Sequence, residues 1–405
     1  MSTMNNKKKI LIACSCYYPD VKGGGEVSTK LLAEALSEKG YQVVVVAVSD
    51  HDSVDEVNGI KVYRVRFKNL YWTYEKDKYS GLKKIAWHII DSHNIQIAKC
   101  IVKIAKEESV SALITSTIED ISPATWKLAK KEGIKVYHIL RSYNLICATA
   151  TMFKNDQNCD RQCSFCKALT LMKRVNSKYV DHLIGISSFV LNIHKDFGYF
   201  QNATSCVIHN ICGEIAENPD NILHWIPSER SNIKFGYIGN LLPTKGIEKI
   251  FSALSKSGNS RFELVIAGKG SEEYTENLKS LVKRLNISVT FLGHTEPEKF
   301  FRSIDVLIVP SVWNEPFGRI IVESYSCNVP VIASNRGGIP ELITADTGFL
   351  YEDEDQLCAK LEFIASNNLK FDFSKKSSFN PSFIASKWAE ILPLNTVNDE
   401  IAITR

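Results

Sequence analysis

Short apolar runs alternate along the chain with stretches of helical periodicity. Lys9-Ile10-Leu11-Ile12-Ala13-Cys14 has the length of a buried strand. Residues 26–39 place Val27, Leu31, Leu32, Ala35 and Leu36 at helical spacing, and Gly40 closes the helix. Residues 43–48 are a second apolar run. Strand, helix and strand in that order predict a parallel pair. The rhythm continues with an alternating strand at 60–65, a helix at 89–108, a strand at 112–115, a helix at 123–131 and a strand at 135–140. A strand and helix from 181 to 194 and a short strand at 207–210 complete this half.

Residues 213–231 are polar, contain Pro219 and Pro227, and break the rhythm, as a linker does. The second half resumes it. Strands are predicted at 234–239, 262–267, 289–292, 306–309, 329–333 and 348–351. Helices are predicted at 247–255, 272–285, 297–304, 319–327, 354–366 and 379–392, with a polar tail from Asn395. The expected class is α/β, with two parallel-sheet domains. The expected division is 1–212, a linker at 213–231, 232–375, and a terminal helix and tail at 376–405.

Composition narrows the function classes. The 405 residues are 44% hydrophobic and 23% charged, as in soluble globular proteins. No apolar run is long enough to cross a bilayer, and the basic start lacks the apolar core of a signal peptide. A net charge of +4 without a recognition motif argues against a nucleic acid partner. Eleven cysteines without a secretion signal suit reduced thiols or metal ligands in a cytoplasmic protein.

The stretch richest in chemistry is 305–323. The run Val306 to Val309 ends at Pro310, and Glu315 follows in the loop. That loop leaves the carboxyl end of a parallel strand, where open α/β sheets bind ligands. Glu323 lies eight residues on, near the same side of the following helix. Two such carboxylates can grip the hydroxyls of a sugar and a ribose, while free amides at Phe317 and Gly318 can face an anion. A helix-terminal carboxylate with an unrelated surface glutamate fits the spacing equally well. Lys245 stands uncompensated at a predicted helix N-terminus, which suits a bound diphosphate or a solvated surface lysine. Gly23-Gly24-Gly25 is a flexible turn or a close approach to a ligand, and it is not a dinucleotide fingerprint. Cys147, Cys159, Cys163 and Cys166 are compatible with a structural zinc site or with free thiols. The aromatic and lysine-rich stretch 67–87 either packs on the core or touches a membrane surface or lipid-linked acceptor.

Glu315-Pro316-Phe317-Gly318 with Glu323, followed by Gly337-Gly338-Ile339-Pro340-Glu341, resembles the retaining glycosyltransferases of the GT-B fold, family four (glycosyltransferase group 1). The resemblance extends over nearly the whole chain. It implies two Rossmann-like domains facing across a cleft, with the terminal helix crossing back to the first. The first domain would bind a glycan or lipid-linked acceptor and the second a nucleotide-diphosphate sugar. By this resemblance Gly24 and Gly25 face the donor phosphates and acceptor, and Gly268 turns beside the nucleotide. Glu315 contacts the transferred sugar and Glu323 the ribose. Lys245 neutralises the diphosphate, with Arg319 as a further cation. Asn240 stands where the family has an arginine. Arg141-Ser142 aligns with a His-Asp or Arg-Asp pair, leaving Arg141 to face phosphate or acceptor, while His138 reads as a core residue. Transfer would retain configuration by front-face displacement, with no cofactor required for catalysis.

The expected function is a hexosyltransferase of cell-surface polysaccharide synthesis (capsule or lipopolysaccharide), cytoplasmic and peripheral on the inner membrane face. A GT-B sugar phosphatase or phosphorylase-like enzyme and a non-catalytic nucleotide-sugar-binding partner are the alternatives.

Overall fold

The structure is a computed structural model that describes residues 9–21, 23–78, 81–213 and 220–393. The start of the chain, part of the expected linker and the tail from Asn395 lie outside the described residues. The chain divides into two compact units. The first takes 9–152, 159–211 and 381–393 of the described residues, and the second takes 153–158 and 212–380.

Up to Ile211 the elements are β1 (Lys9–Cys14), α1 (Gly24–Glu38), β2 (Gln42–Ser49), β3 (Ser53–Val57), β4 (Ile60–Arg66), α2 (Leu82–Asp91), α3 (Ile95–Glu107) and β5 (Ala112–Thr115). They continue with α4 (Ala124–Lys131), β6 (Lys135–Leu140), β7 (Phe153–Lys154), β8 (Gln157–Asn158), α5 (Ser164–Ser177), β9 (His182–Gly185), α6 (Ser188–Asp196) and β10 (Thr204–Val207). One sheet runs in the order β10-β9-β6-β5-β1-β2-β4-β3. Its strands are parallel except for β3 on β4. The apolar runs form its centre, with Ile10, Leu11, Ile12 and Val45 to Val48 all fully buried. Order reverses at β1 and β5, so the loops leaving these strands diverge and open a crevice.

Two expectations change in this unit, and one open alternative is decided. The single helix at 89–108 is two helices, because Asn94 caps α3 by accepting from Gln96 N and Ile97 N. The last strand is Thr204–Val207 rather than 207–210. The aromatic stretch packs on the core at Tyr71, Trp72 and Trp87, which are all buried. Trp72 Nε1 donates to Ser15 O and Trp87 Nε1 to Tyr71 O.

The remaining elements are β11 (Ile222–Trp225), β12 (Ile233–Ile238), α7 (Ile247–Ser257), β13 (Phe262–Ala267), α8 (Glu272–Leu285), β14 (Val289–Gly293) and α9 (Pro297–Phe301). They close with β15 (Val306–Val309), α10 (Arg319–Ser326), β16 (Val331–Ser334), β17 (Gly348–Tyr351), α11 (Glu354–Ser366), β18 (Leu369–Asp372) and α12 (Pro381–Ile391). The second sheet is parallel throughout, in the order β14-β13-β12-β15-β16-β17, and reverses at β12 and β15.

The expected linker is partly structure. β11 pairs antiparallel with β18, and Trp225 is buried with Nε1 donating to Ile364 O. Burying that ring gains more than the polar neighbours resist. The pair Phe153–Asn158, expected in the first domain, clusters with the second unit. Asn158 explains this, since its amide donates to Val312 O and accepts from Asn314 N. The last helix belongs to the first unit: α12 packs on α1, buries Ile384 and Trp388, and ends with Ile391 O accepting from Tyr137 OH.

Candidate active site

In the second unit the loops after β12, β13 and β15 and helix α10 carry the predicted donor-binding residues other than Gly24 and Gly25. These loops are held by contacts between main chains. At Gly268, with φ at +142°, an added Cβ would lie 1.8 Å from Gly239 O. At Gly246, with φ at +69°, it would lie 2.3 Å from Pro310 O. Only glycine fits either position. Leu241 N donates to Lys269 O and Val312 N to Thr244 O, so the loop after β12 is pinned on both sides.

These contacts bring Lys245 and Glu315 together. Lys245 Nζ lies 2.5 Å from Glu315 Oε1, and Ser311 Oγ donates to the same oxygen at 2.6 Å. The ammonium also stands 5.3 Å from the centre of the Trp313 ring. The expectation of an uncompensated Lys245 is therefore corrected: its counter-charge is Glu315. Seventy residues separate the two, but β12 pairs directly with β15, so their loops are neighbours. Glu315 is seated by the glycine pair. Gly338 N donates to Glu315 O at 2.7 Å, and a Cβ at Gly337 (φ +61°) would fall 2.2 Å from that oxygen.

Glu323 is buried on α10 and accepts from Arg319 Nε at 2.5 Å, one helical turn away. Arg319 is thus set against Glu323 rather than standing apart. Gly318 precedes α10 at φ +145°, where a Cβ would crowd Ile321, and Phe317 is buried. Asn240 follows Gly239, with its carbonyl accepting from Tyr237 OH. Burial pushes the Tyr237 phenol up, so it stays a neutral donor.

The first unit holds a cavity of about 600 Å³ at its own strand reversal. Ser15, Thr117, Glu119 and Arg141 bring the loops after β1, β5 and β6 to its lining, Gly25 and Glu26 come from the first turn of α1, and Tyr71, Tyr74, Trp87 and Phe165 add aromatic walls. Arg141 is placed by Ser116 Oγ, which accepts from Nε at 3.0 Å, and by Asn210 Oδ1. Gly24 opens α1, and a Cβ on Gly25 would meet nothing within 4 Å. His138 is a buried core residue bonded to Thr115 Oγ1, and burial pulls its pKa down to about 3.

Sequence reasoning missed the group beneath this cavity. Lys173, on α5, is fully buried, with Nζ 2.6 Å from Asn144 Oδ1 and 3.7 Å from Asp91 of α2. Asp120 N donates to Asp91 Oδ1, and Thr73 donates to Asp120 Oδ2. Burial raises the Asp91 carboxyl to about 7. Little in the sequence marks Asp91 and Lys173, because Lys83, Lys84, Lys167 and Arg174 carry charge on the same two helices.

Cys147 and Cys166 are hydrogen-bonded through their thiols, and Cys163 caps α5 by accepting from Cys166 N. Cys159 lies in the same segment, with its amide donating to Met152 O. Among the described residues no group of three or more His, Cys, Asp or Glu is placed to hold a metal.

Residues 225–377 match the family described as glycosyl transferases group 1. The chain is 29% identical over 384 residues to an uncharacterized 42.6 kDa protein in the cps region of Klebsiella pneumoniae, covering 94% of this chain and 99% of the relative. Sucrose-phosphate synthase from Thermosynechococcus elongatus shares the fold, with a TM-score of 0.68 at 17% identity over 95% of this chain and 98% of that one. HepE of Anabaena, solved in complex with UDP, does so with a TM-score of 0.64 at 18% identity over 97% and 98%. The fold is GT-B, and the region that matches the glycosyl transferases group 1 spans both loops that carry Lys245 and Glu315.

Proposed function

We propose that this glycosyltransferase moves a hexose from a nucleotide-diphosphate sugar to a glycan or lipid-linked acceptor, with retention of configuration, in the synthesis of a capsule or lipopolysaccharide. The observation that carries the reading is the Lys245–Glu315 pair, fixed by glycines at the strand reversal of the second unit. A diphosphate arriving at this loop competes with Glu315 for the ammonium. Lys245 then neutralises the charge that grows on the leaving diphosphate as the glycosidic bond breaks. Glu315, released from Lys245, accepts hydrogen bonds from the hydroxyls of the sugar, and Glu323 from those of the ribose. The oxocarbenium-like transition state needs no protein nucleophile when the departing phosphate takes the acceptor's proton on the same face. The acceptor is assigned to the cavity of the first unit, where aromatic walls and the Glu26 and Glu119 carboxylates suit sugar rings and their hydroxyls. The cps-region relative and the UDP-bound neighbour support the pathway and donor class.

A thermal-shift screen with UDP-, GDP- and ADP-sugars and the bare diphosphates tests the donor. Binding to the folded state raises the midpoint by mass action, and one base should stand out. Proton NMR of the first product tests the stereochemistry. A product of inverted anomeric configuration would overturn front-face displacement.

A further inference from the structure

Among the described residues sixteen large apolar side chains are exposed, and seven of them lie on α2 and α5. These two short helices pack side by side. On α2 they are Leu82, Ile89 and Ile90, with Leu82 84% exposed. On α5 they are Phe165, Leu171, Met172 and Val175.

α5 is built inside out. Its buried residues are Thr170, Lys173, Asn176 and Ser177, all polar. Each has its partner within the unit: Tyr199 for Thr170, Asn144 for Lys173, His93 for Asn176 and the Phe200 amide for Ser177. At 100° per residue the four exposed apolar residues and Ala168 span an arc of roughly 120°. Lys167, Arg174 and Lys178 border that arc on one side. A water-facing helix of a globular protein shows the opposite arrangement. Neither helix presents an acidic side chain to solvent, since α5 has none and Asp91 of α2 is buried. An apolar arc edged with cations and free of acids is the pattern of a helix lying in a lipid interface. The same helices reach the cavity, through Lys84 and Ile85 of α2 and Phe165 of α5.

We propose that the α2–α5 face seats this protein on an anionic lipid surface, beside the opening through which a lipid-linked acceptor enters the first unit. The proposal rests on reading that cavity as the acceptor site. The apolar arc inserts among acyl chains, and Lys167, Arg174 and Lys178 meet the headgroups.

Flotation with vesicles of phosphatidylethanolamine and phosphatidylglycerol, against vesicles of phosphatidylcholine alone, tests it. The full chain should float with the anionic vesicles and release as salt rises. Lys167→Gln and Lys178→Gln should each weaken binding about fivefold. Leu171→Asp with Met172→Asp should abolish it without lowering the melting midpoint, because both side chains already face solvent. Transfer to a short water-soluble acceptor should be unchanged in these variants, while transfer to vesicle-borne acceptor falls. No flotation of the wild type, or equal flotation of the Asp variant, overturns the proposal. So does sedimentation as a dimer that Leu171→Asp dissociates, which would give the face to a second copy. If vesicles bind as expected but Tyr74→Ala leaves transfer to both acceptors unchanged, the acceptor reading fails and the surface reading stands.

Discussion

The two units place a site at the same point of the same kind of sheet and build it from opposite materials. In the second unit the strand reversal is closed by main chain against main chain at Gly246, Gly268 and Gly337, and its charges are already paired. In the first unit the reversal opens into a cavity walled by side chains from the segment before α2 and the loop before α5. The contrast follows from the ligands proposed for each. A diphosphate is one chemical object, and a fixed backbone with one cation recognises it. Acceptors differ in shape, and side chains on inserted segments can be exchanged without disturbing a sheet.

The comparison breaks first if the paired charges prove dispensable. Lys245→Ala and Glu315→Ala should each lower the transfer rate by about 10²- to 10³-fold, the usual cost of removing one group that stabilises developing charge. Steady-state kinetics on variants that still melt cooperatively would check this, and full activity in both would remove the site from the second unit. Next come the glycines. Gly337→Ala should cost about 1–3 kcal/mol through backbone strain and weaken donor binding, whereas Gly25→Ala, with open space around it, should stay within about 0.5 kcal/mol. Urea titration of the pair measures the difference. In the first unit Tyr74→Ala should raise the acceptor KM up to about tenfold, the value of one aromatic contact, and leave the donor-induced thermal shift untouched.

A pH series sharpens the contrast further. Burial holds His138 at about 3 and His194 at about 4, below the free value, so the unfolded chain binds more protons in acid. Stability should therefore fall as pH drops from about 6.5 towards 4. Asp91, raised to about 7, acts oppositely and loses its contribution as pH climbs from about 4 to 7. All three lie in the first unit, so hydrogen exchange at pH 7 and 4.5 should change more there than in the second. The substitution Asp91→Asn should reduce the opposing slope, leaving the part that comes from Asp120, whose carboxyl burial also pushes up. The smallest effect is expected from Asn240→Arg, which adds a cation to the loop that carries Lys245 and should tighten diphosphate binding several-fold by calorimetry.

The same division decides what was readable beforehand. Glu315, Glu323, Lys245 and the glycine pair stood out because a backbone-built site leaves glycines and charges at fixed spacings after strands. Their mutual pairing did not stand out, because Lys245 and Glu315 meet only when β12 lies beside β15. The parallel sheets were readable from apolar runs, but β11 was hidden in a polar stretch whose order depends on Trp225 finding α11. The break before α3 depended on a single cap at Asn94. Least readable was α5, whose polar residues face inward because Asp91, Asn144 and Tyr199 wait for them there. Periodicity shows that a helix has two faces, and only the neighbours say which one is inside.

The return of α12 to the first unit has a consequence for synthesis. Ribosomes deliver the sheet of the first unit early, yet Ile384, Trp388 and the carbonyl that receives Tyr137 emerge only after the whole second unit. Until then the exposed side of α1 and the end of β6 lack their cover. A nascent chain stalled near residue 380 would thus carry a finished second unit and an unfinished first, and its earlier half would be the better chaperone substrate.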